Sequence, residues 1–236
     1  LGCYWMTKEV PGEKGEGKVF ASPNEAITAY GYEVVGFRSK IKVRATQNEK
    51  YAEFKGGIFE TSVGRLLFNS VFPDDFAYVN EEITSSRLAK IFDQIVSRYG
   101  FEATPAVIDK VKAFGFRYAM KSGITWGIDN VRVPEGKPAI IDEARKNQQI
   151  IIDQYNEGLL SEEERYQKIV ELWEKAKKEV EKLLPAILDP MGSYHDMFKS
   201  GARGSMNNVS QMAGMKGLIQ NNQGRIIEFP VIPSYI

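Results

Sequence analysis

A short stretch of the chain carries residue types that suit a phosphate site. It runs from Ser200 to Ser205 around Arg203, with Gly201 and Gly204 beside the arginine. Glycine lets the backbone turn or approach a ligand closely, and an arginine fork with free amide N–H groups favours phosphate. The pattern indicates an anion site. It is also typical of a tight loop between packed elements, so both interpretations stay open.

Outside this stretch, the sequence contains no motif that indicates catalysis. It has no Walker loop, dinucleotide fingerprint, HExxH helix or nucleophile elbow. Cys3 is the only cysteine, which excludes a zinc site built from cysteines, and His195 is the only histidine. Asp74 and Asp75 form the closest acidic pair, and a turn explains them better than a magnesium site. We therefore predict no catalytic residue, no metal ligand and no cofactor in this chain.

Composition indicates a soluble globular protein without a bulk charge bias. Among 236 residues, Lys and Arg together number 31, and so do Asp and Glu. A nucleic-acid contact would therefore have to be local or made by partner chains. The single cysteine fits a reducing cytoplasm, no apolar run approaches the ~20 residues of a membrane span, and no signal peptide is visible. We expect a cytoplasmic protein without membrane contact, and a fragment of a longer one.

The pattern of elements predicts an α+β fold in three segments. In residues 1–121 we expect short strands and helices, including a helix capped by Ser22 and a strand over 40–46 that alternates buried and exposed side chains. Helical periodicity then follows, with expected helix ends at Gly100 and near Gly115. One more helical turn over 116–121, before Gly123, is the open alternative to the second of these ends.

The second segment, residues 122–190, contains the clearest pattern, an antiparallel helical hairpin over about 138–184. Two apolar stripes face each other across a short turn, and Ser161 with Glu164 has the pattern of a capping box. The hairpin also carries charged faces and an acidic cluster beside its turn. Such faces are typical of solvated surface, and a docking handle for a partner is the open alternative.

The third segment, residues 191–236, is predicted to hold a glycine-rich loop and then a β-hairpin. The loop covers 200–217, and the hairpin pairs 218–220 with 225–229. The sequence contains no internal repeat and no low-complexity tract.

A series of short motifs runs along nearly the whole chain. It comprises Leu1–Thr7, Lys14–Gly17, Ile41–Arg44, Thr61–Arg65, Gly115–Phe116, Ser122–Ile124, Gly127–Asn130, Gly158–Leu159, Glu164–Tyr166, Trp173, Ser200–Gly217 and Gly224–Pro230. In this order the motifs resemble those of the β′ subunit of bacterial RNA polymerase. Single pieces are unspecific, whereas the ordered set is very specific.

The resemblance implies the pore and funnel modules that wall the secondary channel, through which nucleoside triphosphates reach the active site in that family. It assigns the triphosphate contact to Arg203 and Gln211. It assigns the channel loop before the bridge helix to Ser200, Gly201, Gly204, Ser205 and Met215. The hairpin resembles the rim helices, where the resemblance assigns regulator docking to Glu162, Glu163, Glu164, Tyr166 and Lys168.

The resemblance also implies an activity and partners. The parent enzyme would be a nucleotidyltransferase, DNA-directed RNA polymerase. Partners would be its β, α, ω and σ subunits, the DNA template, RNA, nucleoside triphosphates and transcript cleavage factors. The aspartate-rich loop that binds Mg²⁺ in the family has no counterpart in this sequence. Mg²⁺ would therefore lie outside the segment, and the segment alone is expected to be inactive.

The sequence departs from the family at several positions. Ser210 stands where relatives often carry arginine, so the detailed contacts of the channel loop are expected to differ from the family's. At the position of a guanosine tetraphosphate site of some relatives, Asp109, Tyr166 and Lys168 match, but Ala113 replaces an aromatic residue, so we do not predict that site. Two alternatives from other classes stay open. One is a free-standing helical-hairpin adaptor that binds proteins. The other is an independent phosphate-binding enzyme, for which the sequence offers no acid–base pair near Arg203.

Overall fold

The computed structural model describes residues 1–235, so Ile236, the last residue of the predicted third segment, lies outside the described residues. The chain divides into two compact units. The first comprises Leu1–Ile124 and Lys199–Ala202, and the second comprises Thr125–Phe198 and Arg203–Ile236. Helices together with a small three-stranded sheet confirm the predicted α+β class.

The first unit combines this sheet with helices. Its elements are α1 (Gly2–Thr7), β1 (Val19–Phe20), α2 (Pro23–Gly31), β2 (Ile41–Arg44), a 3-10 helix (Glu49–Phe54), β3 (Ile58–Thr61), α3 (Val63–Asn69) and α4 (Ser85–Ser122). Strand β2 lies in the middle of the sheet. It pairs in parallel with β1, where Lys42 is opposite Val19, and antiparallel with β3, where Ile41 is opposite Thr61.

Local sequence explains how these elements begin and which faces they bury. The side chain of Ser22 accepts a hydrogen bond from the amide of Glu25, which confirms the predicted start of α2. In β2, Ile41 and Val43 are buried while the side chains between them are exposed, as the alternation predicts. The acidic pair at 74–75 lies in a turn, also as predicted.

Two glycines allow α1 to pack closely against α3 and α4. A β-carbon at Gly64 would overlap the carbonyl oxygen of Met6, and one at Gly2 would overlap the carbonyl oxygen of Gly115. Backbone atoms cannot move aside as a flexible side chain can, so a larger residue at either position would force the helices apart. Helix α1 is therefore held by backbone contact on two sides.

Helix α4 consists of two helical segments that meet at a kink. Gly100 adopts the non-helical angles φ 73° and ψ 177°, which confirms the predicted helix end there, and the second segment continues to Ser122. The predicted end near Gly115 is wrong, because the helix continues through this residue. The alternative, a further turn over 116–121 before Gly123, is confirmed. Gly123, in the left-handed conformation, follows the last turn instead.

The second unit is mainly helical. Its elements are a 3-10 helix (Ile128–Asn130), α5 (Lys137–Asn156), α6 (Glu162–Ile187), most of α7 (Ser193–Lys199) and α8 (Met206–Ala213). Helices α5 and α6 form the predicted hairpin around a buried cluster that includes Ile141, Ile169 and Trp173. Ser161 and Glu164 form the capping box, as predicted.

The structure corrects the prediction for two segments that follow α7. The glycine-rich segment 200–217 is not a loop throughout, because α8 occupies its middle. The next segment, residues 217–231, is named here the C-terminal ribbon. Its chain pairs antiparallel, as predicted, but only through isolated bridges at Gly217–Val231 and Gln220–Ile226 within the described residues, and not as regular strands.

No helix within residues 1–235 is both long and apolar enough to cross a membrane. Over the same residues, no group of three or more His, Cys, Asp or Glu side chains is arranged to hold a metal ion.

Candidate functional site

Arg203, the predicted phosphate contact, lies in the turn between α7 and α8. Its side chain is exposed, and its backbone N–H donates to the carbonyl oxygen of Met197 at 3.4 Å. Gly201 and Gly204 adopt φ values of +74° and +92°, in the left-handed region that favours glycine. Within the part of the chain that the structure describes, no hydrogen bond or ion pair holds the guanidinium. Its planar fork of N–H donors is therefore available to an external anion.

Helix α8 begins directly after this turn. The amide of Asn208 donates to Ser205 Oγ at 3.4 Å, and the amide of Ser205 donates to Asn208 Oδ1 at 3.0 Å. The aligned peptide dipoles give the N-terminus of a helix a partial positive charge. The turn thus combines an exposed arginine with the positive end of a helix.

Other residues predicted for the channel loop have different surroundings. Ser200 is buried in the first unit, where its carbonyl oxygen accepts a hydrogen bond from the amide of Ser85 at 2.9 Å. Met215 is fully buried in the second unit, in the apolar cluster of the hairpin. Gln211 is half-buried on α8, and its carbonyl oxygen accepts a hydrogen bond from the amide of Tyr235 at 3.1 Å. Ser200 and Met215 therefore contribute to packing within their units.

The acidic cluster at the hairpin turn is partly used within the hairpin. Glu164 Oε2 accepts hydrogen bonds from the backbone N–H and from Oγ of Ser161, each at 2.8 Å. Glu162 Oε1 accepts one from Arg165 Nη2 at 2.8 Å. The bond from the Ser161 backbone lowers the pKa of Glu164, and the bond from Arg165 lowers the pKa of Glu162. Both carboxylates thus have internal roles.

Two exposed residues remain of the set predicted to dock regulators, Glu163 and Lys168. Glu163 Oε1 accepts a hydrogen bond from the exposed side chain of Gln167 at 3.3 Å. Lys168 has no hydrogen bond or ion pair among residues 1–235. Leu159, in the turn itself, is 68% exposed. The tip of the hairpin therefore offers an acidic, a basic and an apolar side chain to solvent.

Tyr166, also predicted for docking, makes contacts that hold the fold together. Its hydroxyl donates to the carbonyl oxygen of Ile226 at 2.9 Å, and the guanidinium of Arg225 lies over its ring at 4.7 Å. Next to it, Arg165 binds Glu228 at 2.8 Å. Sequence reasoning missed Arg165 and Glu228, because 63 positions separate them and no motif marks such a pair.

The cysteine of the chain does not provide a nucleophile. Cys3 is buried, and burial raises the pKa of its thiol. It borders an apolar cavity of about 470 Å³ in the first unit, whose lining includes Leu88, Phe92 and Val111. A neutral thiol among apolar side chains is typical of packing and not of catalysis.

Two sequence families match consecutive parts of the chain. The family described as RNA polymerase Rpb1, domain 3, matches residues 1–131. The family described as RNA polymerase Rpb1, domain 4, matches residues 141–232. The first match contains the whole sheet, and the second contains the hairpin except for the first turn of α5, the Arg203 turn, α8 and the ribbon.

Curated bacterial proteins are similar to the chain over nearly its whole length. A DNA-directed RNA polymerase subunit beta' of Caldicellulosiruptor saccharolyticus is 38% identical, with 98% of this chain and 21% of the relative covered. Proteins of the same name from Pelotomaculum thermopropionicum and Heliobacterium modesticaldum are each 39% identical. They cover 98% of this chain, and 19% and 20% of their own lengths. The chain thus spans about a fifth of the length of the curated relatives it matches.

Proposed function

Since the chain belongs to the β′ subunit family of bacterial DNA-directed RNA polymerases, we propose that it forms a wall of the enzyme's secondary channel and contributes to the delivery of nucleoside triphosphates. In this proposal the chain acts in the cytoplasm within an assembly of β, α, ω and σ subunits on a DNA template. The assembled enzyme carries out nucleotidyl transfer, and this segment guides a substrate without taking part in bond formation.

The exposed Arg203 is the observation that carries the proposal. A triphosphate in a narrow passage needs a partner that keeps its charge and offers several N–H donors, and guanidinium meets both requirements. The side chain of Arg203 has no hydrogen bond or ion pair within residues 1–235, so binding a phosphate would not first require an internal side-chain contact to break. At the adjacent Gly204 a β-carbon would meet nothing within 4 Å, so the backbone there is open to the approach of a polyanion.

The residues of this chain do not fit a magnesium site. No group of three or more possible ligands is arranged for one among residues 1–235. The proposal therefore assigns no step of metal chemistry to this segment, and Arg203 acts on the substrate by charge and hydrogen bonding alone.

Replacing Arg203 in the assembled polymerase tests the nucleotide role. Because a charge-assisted contact is lost, Arg203→Ala is expected to raise the apparent KM for nucleoside triphosphates about tenfold. Arg203→Lys keeps the positive charge but lacks the planar fork of N–H donors. Its apparent KM should therefore lie between those of the parent enzyme and of Arg203→Ala. Arg145→Ala is the matched control, since Arg145 lies exposed on α5 with its Nη1 3.9 Å from Asp142. An unchanged KM in Arg203→Ala would refute the role.

The hairpin tip supports a second part of the proposal, docking of transcript cleavage factors or other regulators. Glu163 and Lys168 are exposed there, beside the exposed apolar side chain of Leu159. A surface that combines charge with an apolar contact suits a protein partner. The proposal keeps Glu163 and Lys168 as docking residues and gives Glu164 and Tyr166 mainly structural roles.

Membership in the polymerase family favours this proposal over the alternatives that the sequence left open. An adaptor or an independent enzyme of another family would not match polymerase domains along most of its length. The exposed hairpin tip would suit a protein-binding adaptor as well, so the family matches, and not the tip, decide between the two.

A further inference from the structure

Arg165 of α6 binds the C-terminal ribbon through a two-pronged ion pair. Its Nη1 and Nη2 donate to the two carboxylate oxygens of Glu228 at 2.8 and 3.3 Å. The side chains of Arg165 and Glu228 are only 15% and 21% exposed. Solvent screens such a pair less than it screens an exposed pair, and the fork fixes direction as well as distance. The hairpin and the ribbon are therefore joined by a contact of defined geometry.

Neighbouring contacts also attach the ribbon to the hairpin. The guanidinium of Arg165 lies over the ring of Tyr155 on α5 at 5.3 Å, so both hairpin helices support it. The next residue, Tyr166, donates to the carbonyl oxygen of Ile226 at 2.9 Å, and Arg225 stacks on its ring. Two consecutive residues of α6 thus hold the ribbon over 225–228.

The ribbon in turn fixes the C-terminal end of α8. Its ends pair at Gly217 and Val231, with N–O distances of 3.0 and 2.9 Å. Just before it, the carbonyl oxygen of Met215 accepts a hydrogen bond from Ser210 Oγ of α8 at 3.4 Å. Just after it, the amide of Tyr235 donates to the carbonyl oxygen of Gln211 at 3.1 Å. Both ends of the ribbon are therefore tied to the last turn of α8.

We infer that Arg165 is a positioning residue for nucleotide use, because it fixes the ribbon on the hairpin and thereby fixes α8 and the Arg203 turn in front of it. The inference rests on the proposed function of Arg203. It assigns Arg165 no contact with the substrate. It predicts that loosening the ribbon shifts the position of Arg203, although Arg165 and Arg203 lie on different elements.

Hydrogen exchange in the assembled polymerase tests whether the Arg165–Glu228 ion pair holds the ribbon on the hairpin. Arg165→Ala and Glu228→Gln should each speed exchange of the ribbon amides, including those of Gly217 and Val231. The expected change is roughly tenfold, while amides in the middle of α5 keep their protection. Arg145→Ala is the control and should leave the ribbon unchanged. Unchanged ribbon exchange in both variants would overturn the inference.

Exchanging the two charges separates a specific pair from general damage to the fold. The double variant Arg165→Glu with Glu228→Arg recreates the ion pair between positions 165 and 228, but not the contact of Arg165 with Glu162. It should recover most of the protection that either reversal alone removes. If the double variant is as unprotected as the single reversals, the ion pair does not position the ribbon.

Kinetics of the same polymerases test the link to Arg203. Arg165→Ala should raise the apparent KM for nucleoside triphosphates a few-fold with little change in kcat, and should add little to Arg203→Ala, because both act through one contact. A fully additive double variant would refute the link. If Arg203→Ala alone has no effect, the proposed function fails, and the exchange measurement still decides whether Arg165 positions the ribbon.

Discussion

The indole N–H of Trp173 donates to Gln148 Oε1 at 3.2 Å, from one helix of the hairpin to the other. Trp173 is 1% exposed, and Gln148 is the polar residue that interrupts the apolar stripe of α5. A buried indole N–H needs an acceptor, so the interruption has a physical reason. The polar residue completes the core of the hairpin.

Gln148→Leu should therefore destabilise the chain although it makes the stripe more apolar. It leaves the Trp173 N–H without an acceptor, at an expected cost of about 1–3 kcal/mol in the free energy of unfolding. Urea unfolding followed by circular dichroism measures this. Gln149→Leu is the control, because Gln149 is exposed and bonds only along its own helix to Asp153. Equal stability of both variants would show that the indole contact contributes nothing.

Gly64→Ala should disrupt the packing of α1. The added methyl group would overlap the carbonyl oxygen of Met6, and we expect a loss of about 1–3 kcal/mol or more, as for other overpacked sites. Gly31→Ala provides the contrast, because Gly31 is helical and a β-carbon there meets nothing within 4 Å. Thermal unfolding should show a lower Tm for the first variant only. A Gly64→Ala protein with the parent Tm would contradict the close contact.

The contact between Tyr99 and Asp75 should make stability depend on pH at both extremes. The hydroxyl of Tyr99 donates to Asp75 Oδ1 at 2.8 Å. Desolvation and then this bond raise the pKa of Tyr99 from 10.0 to about 12, so its stabilisation is lost as pH rises between these values. The same bond, with Arg98, lowers the pKa of Asp75 from 3.8, so its stabilisation is lost as pH falls below that value.

Tyr99→Phe should remove the alkaline dependence and weaken the acid one. Urea unfolding of both proteins from pH 3 to 12 measures the difference in stability, which should shrink toward either end of the range. A difference that stays constant above pH 10 would mean that Tyr99 titrates normally.

Glu163→Lys and Glu164→Lys should separate docking from folding. Glu163→Lys reverses an exposed charge in the first turn of α6 and should weaken binding of a regulator whose contact surface is basic, at a helix-dipole cost of about 0.3–1 kcal/mol in stability. Glu164→Lys has the same dipole cost and also removes the capping box, so it should cost about 1 kcal/mol more. Binding assays with assembled polymerase and urea unfolding of the chain check the two effects. A loss of stability in Glu163→Lys as large as that in Glu164→Lys would contradict the assignment.

Sequence predicted best those elements whose signals are local. The hairpin has long apolar periodicity and a capping box at Ser161, and β2 alternates cleanly, so neighbouring residues suffice to define them. Helix α8 has the same kind of signal, a cap at Ser205 and buried Val209 and Ala213 one turn apart. The surrounding glycines concealed it, because glycine content outweighed this short pattern.

Other features depend on residues far apart in the chain. Gly2 must be a glycine because the carbonyl oxygen of Gly115, more than 100 positions later, would overlap a β-carbon there, and no local pattern marks this contact. The acidic residues at the hairpin turn looked equivalent, although Arg165 engages one and Ser161 another. Sequence alone therefore could not distinguish Glu163, whose carboxylate bonds only to the exposed side chain of Gln167, from Glu162 and Glu164.

Because of the kink at Gly100, both halves of α4 pack against the same apolar core. Ile91 and Ile95 before it and Val107 and Val111 after it all belong to the apolar core of the first unit. The non-helical angles of Gly100 set the direction of the segment that follows, so losing this residue would redirect the later half and carry Val107 and Val111 away from that core. The number of residues around position 100 is consequently as constrained as their identity. Insertions or deletions should be tolerated at the chain's surface turns and not at position 100.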